Sequence, residues 1–120
     1  MAENYITRKM EKGSINISED VVASLVKAVV LDTDGVAELA NAVGADIAEL
    51  IGIKMNIKGV KVRFPEDKIS VDVVITVKYG NNIVDVAKRT QEAVLSAVEA
   101  STGVDEVEVN VHVAGISFKD

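Results

Sequence analysis

The sequence predicts an α+β fold: a mixed three- to four-stranded sheet with two main helices packed on one face and the other face polar. Three runs of residues carry that prediction. In the first, Val60, Val62 and Phe64, and then Ile69, Val71, Val73, Ile75, Val77 and Tyr79, alternate with polar neighbours. That is the period of a half-buried strand, and residues 65–68 supply a turn that makes the two strands a hairpin. In the second, Ile83, Ala87, Val94 and Val98, widened by Val86, Leu95 and Ala97, form one apolar helical row. In the third, Val107, Val109, Val111 and Val113 alternate again. A strand-helix-strand passage in one sheet makes its two strands parallel through a right-handed crossover.

The remaining elements follow in order. Residues 1–12 mix charges without a clear period, although Tyr5, Ile6 and Met10 are available for docking, so they are expected to form a loosely held, flexible tail before a single domain spanning 13–118. Ile15 and Ile17 alternate as a short strand, and Ser18 stands where a helix N-cap belongs, with Glu19 and Asp20 favourably placed against the helix dipole. Val22, Leu25, Val26, Val29 and Val30 then fall at helical spacing, and Asp32-Thr33-Asp34-Gly35 stops the helix. Residues 36–40 read as a short strand and residues 45–51 as a short helix closed by Gly52. Asn82 caps the second main helix, with Asp85 echoing a capping box, and Ser101-Thr102-Gly103 ends it. Lys61, Arg63, Asp72, Thr76, Lys78, Glu108, Asn110 and His112 are expected on the polar face.

Composition narrows the chemistry. A chain of 120 residues fits one core, and 48% apolar residues with only two Phe and two Tyr make that core aliphatic. There is no Cys, which excludes disulfides and thiolate chemistry and suits a reducing cytoplasm. The longest nearly apolar run, residues 21–31, carries Ser24 and Lys27 and is too short to span a bilayer. The net charge of −6 opposes general binding to phosphate backbones and to anionic lipid, so direct membrane insertion is not expected.

No catalytic, cofactor or metal constellation emerges, and the chain is expected not to be an enzyme. The sole histidine, His112, lies on an alternating strand whose valines face inward, so it is read as a solvated surface residue rather than a general base. Asp32-Thr33-Asp34-Gly35 resembles the start of a calcium loop, but Val36, Ala37, Leu39 and Ala40 follow in place of oxygen ligands. Zinc would need more than one His, and the glycines form neither a phosphate loop nor a dinucleotide fingerprint. The sharpest charge feature is Lys54, Lys58, Lys61 and Arg63 within residues 51–65, a stretch holding no acid. With Lys78, Asn110 and His112 these define a candidate interaction surface. It reads as a solvated strand face, a contact for an acidic protein partner, or a site for RNA, the last opposed by the absence of stacking rings on that face.

The order of signals resembles the alkaline shock protein family, the small cell-envelope stress proteins common in Gram-positive bacteria. The resemblance runs from about Gly13 to Phe118. It is carried by Gly13-Ser14-Ile15-Asn16-Ile17-Ser18 with Val21 and Val22, Gly35-Val36, Lys58-Gly59-Val60-Lys61-Val62, Tyr79-Gly80-Asn81-Asn82-Ile83 with Val86-Ala87, Gln91, Val94 and Val98, Thr102-Gly103-Val104, and Val107-Glu108-Val109-Asn110-Val111-His112-Val113. It implies a non-enzymatic cytoplasmic protein of envelope homeostasis or stress response. Such a protein would act as a scaffold or adaptor through protein contacts, would self-assemble into a homo-oligomer, and would reach the membrane through a small membrane-anchored relative. The alternative it implies is a regulator of fatty-acid or phospholipid metabolism that binds an enzyme or an acyl ligand. No long charged extension follows Phe118, so tail-mediated roles are not expected, and the lack of a spanning segment is expected to exclude the anchor role.

Overall fold

The structure of the protein, a computed structural model, describes residues 5–41 and 56–119. The helix expected at 45–51 and Lys54 lie outside the described residues. In chain order the elements are β1 (Tyr5–Met10), β2 (Gly13–Ser18), α1 (Glu19–Leu31), β3 (Val36–Leu39), β4 (Val60–Arg63), a 3-10 turn (Pro65–Asp67), β5 (Ile69–Lys78), α2 (Ile83–Thr102) and β6 (Val107–Ser117). This is the α+β arrangement expected, with a four-stranded mixed sheet and a separate two-stranded ribbon.

Strand β5 is the axis of the sheet. Along one edge it pairs in parallel with β6, from Ile69↔Val107 to Lys78↔Ser117. Along the other edge it pairs antiparallel first with β4, from Arg63↔Ser70 to Val60↔Val73, and then with β3, from Leu39↔Ile75 to Val36↔Val77. Between them, Val74 donates its N–H to the Gly59 carbonyl and accepts from the Ala40 N–H, so β3 and β4 lie end to end along one continuous edge. The helix α1 lies over β3 and β4, and α2 lies against α1 and β6. Both helices therefore cover the same face of the sheet.

Local chemistry sets the helix boundaries. The Ser18 side chain accepts from the Val21 N–H at 3.2 Å, and Val22, Ala23, Val26 and Val30 form the buried stripe of α1. The Asn82 side chain accepts from the Asp85 N–H at 3.0 Å, and Gly103, at φ +76°, closes α2 with its N–H on the Glu99 carbonyl. The buried row of α2 is Val86, Thr90, Val94, Val98 and Thr102, whereas Ile83, placed at the centre of the apolar row by spacing alone, is exposed at the rim. The two threonines can be buried because their hydroxyls donate back to the carbonyls of Val86 and Val98, at 2.8 and 2.7 Å. Tyr79 likewise leaves the core: it lies past the end of β5, largely exposed, with its ring centroid 5.0 Å from that of Phe118.

Residues 5–10, expected within a flexible tail, instead form strand β1, antiparallel to β2 with Ile6 opposite Ile17. Ile6 is buried in the core and Ile17 packs against it. The amide of Asn56 ties two elements together: its oxygen accepts from the Val62 N–H at 2.6 Å, and its nitrogen donates to Asp20 of α1 at 3.1 Å.

The turn between α1 and β3 shows what close packing demands of one residue. Gly35 has φ +95°, and a Cβ there would stand 2.6 Å from Cγ2 of Val86. Gly80 has φ +99° but open space around it. Gly80→Ala should therefore cost about 1 kcal/mol from backbone strain alone, and Gly35→Ala about 3 kcal/mol once the clash with α2 is added. Urea unfolding of the two variants measures the difference; equal losses would mean that α2 yields to the added methyl.

Candidate interaction surface

The candidate surface is the face of the sheet opposite the helices. Pairing register aligns Lys61, Asp72 and Asn110 across three strands in one row. Arg63 stands opposite Ser70 and His112 opposite Val74, so both approach Asp72 diagonally. Nη2 of Arg63 lies 3.5 Å from Oδ2 of Asp72, and Nε2 of His112 lies 3.1 Å from Oδ1. The closer bond of Arg63 goes to the Ser70 hydroxyl at 3.1 Å, and Oδ2 of Asp72 accepts no hydrogen bond from the described residues. The ion pair to Arg63 is thus a loose one, and the bond to His112 is the well-formed contact. An ionised carboxylate only accepts, so His112 must present Nε2–H to it.

Burial makes this contact consequential. The Asp72 side chain is 6% exposed and that of His112 16%, whereas Arg63 is 51% exposed. A carboxylate removed from water is costly unless its oxygens are satisfied, so the histidine and the arginine are what make Asp72 tolerable here. His112 occupies the expected face, but it is bonded to Asp72 and is not the solvated residue read from the sequence. Ser70, Asp72 and His112 do not form a nucleophilic triad. Ser70 is held by Arg63, and it sits four residues along the sheet from His112, roughly 13 Å.

The other candidate residues are distributed as follows. Lys58 is exposed in the turn before β4, and Lys61 and Asn110 are half-buried beside Asp72. Lys78 is exposed at the far end of β5, six residues from Asp72 and so roughly 20 Å away. The structure therefore brings Lys61, Arg63, Asn110 and His112 together and leaves Lys58 and Lys78 outside the cluster. The stretch from 51 to 65 holds no acid in sequence, but the fold supplies one: Asp72 sits across the ladder and partly neutralises it. Asp72 and Ser70, absent from the candidate residues, are its centre. A lone carboxylate inside the run Val71-Asp72-Val73-Val74 was the sequence signal for them.

Both edges of the sheet carry amide caps. Asn56 occupies the Val62 N–H on the β4 edge, and Gln91 of α2 donates to the Val109 carbonyl on the β6 edge at 2.9 Å. Among the described residues no three His, Cys, Asp or Glu side chains converge to hold a metal ion. Among the same residues no helix is long and apolar enough to cross a membrane.

The Asp72–His112 contact can be tested by stability. His112→Ala, which strips the carboxylate of its best partner, should cost about 2 kcal/mol in urea unfolding. Replacing both residues by valine should cost less than that single change, because no buried charge is then left unpaired. A larger loss in the double variant would show that Asp72 is satisfied by something other than His112.

Comparison with known proteins bears on this geometry. The chain is 31% identical over 106 residues to the uncharacterized protein YqhY of Bacillus subtilis, covering 88% of this chain and 78% of that protein. It is 34% identical over 106 residues to the uncharacterized protein Spy1614 of Streptococcus pyogenes, covering 87% and 88%. Among solved structures, the copper form of the MamM CTD superposes with a TM-score of 0.51 at 18% identity, over 84% of this chain and 89% of that one, a likeness of fold alone. The model of one family matches residues 7–118, which hold the whole main sheet, both helices and most of the ribbon. The chain belongs to the alkaline shock protein 23 family, whose function is related to the cell envelope.

Proposed function

We propose that the protein is a non-catalytic scaffold or adaptor of cell-envelope homeostasis, working in the cytoplasm and reaching the membrane through a protein anchor. The observation that carries this reading is the helix-free face. There His112 is held by Asp72 and Arg63 by the Ser70 hydroxyl, while Lys61 is half-buried beside them and Lys58 is exposed in the turn before β4. Cations held on strands present a defined pattern to an acidic protein surface, and the ordering of the paired side chains is settled before a partner arrives. The only imidazole is engaged with a carboxylate and has no hydroxyl nucleophile bonded to it, which favours binding over catalysis. The exposed strand edge contributes less than the face, since a side-chain amide blocks a ladder position on each side. A regulator of lipid metabolism that binds an enzyme would use the same face. RNA is opposed by the acidity of the chain and by the lack of rings on that face.

Charge reversal at Lys58 with neutralisation of Lys61 tests the reading without adding a carboxylate beside Asp72, which stands directly opposite Lys61 and diagonal to Arg63. The double variant Lys58→Glu, Lys61→Gln should keep its unfolding midpoint and lose most partner recovery after gentle crosslinking in cells, as quantified by mass spectrometry. Full recovery would place the interface elsewhere. Recovery of lipid-synthesis enzymes without any membrane-anchored protein would favour the regulatory role.

A further inference from the structure

We propose that the tip of the β1–β2 ribbon enters the headgroup layer of an anionic lipid surface, which gives the protein a lipid contact of its own beside any protein anchor. The ribbon is held at its base, where Ile6 is buried in the core and Ile17 packs against it. The Thr7 hydroxyl donates to Oδ1 of Asn16 at 2.7 Å and ties the strands one step farther out. Residues 7–16 are exposed throughout. Met10, next to the turn, lies four residues past Ile6, roughly 13 Å along the strand.

Register decides which side chains the tip offers. Ile15 stands opposite Arg8 and Met10 opposite Gly13, so Ile15 and Met10 are diagonal neighbours on one face, with Arg8 beside them. Gly13 has no side chain to cover Met10, and the two apolar residues are 53% (Met10) and 51% (Ile15) exposed. Lys9 stands on the reverse face, opposite Ser14, and Lys12 lies in the turn. A protein surface meets one face of a ribbon and would leave either Lys9 or the apolar pair unused. A headgroup layer surrounds an inserted tip: cations on both faces and in the turn then find phosphates, while Met10 and Ile15 reach the acyl boundary.

Charge sets the orientation. From Tyr5 to Ser18 the chain carries Arg8, Lys9 and Lys12 against Glu11, a net +2 in a chain of −6, which leaves −8 on the rest. Among the described residues none of the three cations makes an ion pair. An anionic surface repels the acidic remainder, but that repulsion is screened over about 8 Å at physiological salt. The tip stands farther than that from its buried base, so its cations enter the attractive field while the acidic body stays outside it. The charge of the whole chain, which opposes adsorption in general, therefore turns the molecule tip first toward the surface.

This contact goes beyond the scaffold reading and uses none of the sheet-face residues. The full chain should co-sediment with phosphatidylglycerol vesicles at low salt, be released as salt is added, and ignore phosphatidylcholine vesicles. Lys9→Glu with Lys12→Glu should weaken binding by about tenfold or more, and Glu11→Gln, which removes the one acid at the tip, should strengthen it about fivefold. The chain has no Trp, so Met10→Trp places a single reporter at the tip. Its emission should shift to the blue on phosphatidylglycerol vesicles, whereas that of Tyr79→Trp, past the end of β5, should not. No binding, equal binding to both lipids, binding that the charge variants leave unchanged, or a blue shift from the Tyr79→Trp reporter alone would overturn the proposal. So would a chain that ignores vesicles but loses partner recovery in cells through Lys9→Glu with Lys12→Glu, which would assign the tip to an acidic protein. Lys58, Lys61 and Arg63 are intact in every variant, so failure here leaves the sheet-face reading in place.

Discussion

Strand β5 places every element of the main sheet, because it is hydrogen-bonded along both edges and covered on both faces. Ile69, Val71, Val73, Ile75 and Val77 face the helices and are all buried, as are Ser70, Asp72 and Val74 on the other face. A strand with no free edge fixes the register of three neighbours at once, and a one-residue slip would turn five aliphatic side chains out of the core. The parallel pairing with β6 requires a crossover, which α2 supplies. The antiparallel edge is shared by β3 and β4, whose junction at Val74 is closed by the backbone of Gly59 and Ala40. A Cβ at Gly59 would stand 2.8 Å from Cβ of Leu39, so this junction also depends on the absence of a side chain.

The same arrangement decides where the molecule can meet others. The helical face is consumed by the aliphatic core. The edges are interrupted by Asn56 and Gln91, amides that satisfy backbone groups which a passing strand would otherwise find free. Among the described residues what remains is the projecting ribbon, which is basic, and the helix-free face, where Lys61, Arg63 and Lys78 stand among Glu38, Asp72 and Glu108.

Asp72 links that face to stability. It is expensive as a buried carboxylate and is held by His112 and, more loosely, by Arg63, so part of the cationic character of the face serves the protein itself. Lys58 and Lys61 are left to act outward.

Periodicity alone determined most of the fold. The caps at Ser18 and Asn82, the turn after Arg63, the parallel passage through α2 and the aliphatic face of the sheet are all local patterns, and local patterns are written in adjacent residues. Where the reading failed, the missing information was non-local. Thr90 and Thr102 look polar in sequence, but each hydroxyl is satisfied within its own helix and is buried. Residues 5–10 carry no convincing period, because β1 is fixed by its partner β2 and by one buried isoleucine at its base. His112 looked solvated because its neighbour in space is forty residues away in sequence. Val74, an apolar residue on the face assigned as polar, was the one local hint that this face is partly buried. Which side chains share a face could be read from a period of two; which of them touch depends on strand order and register, and only the folded chain sets those.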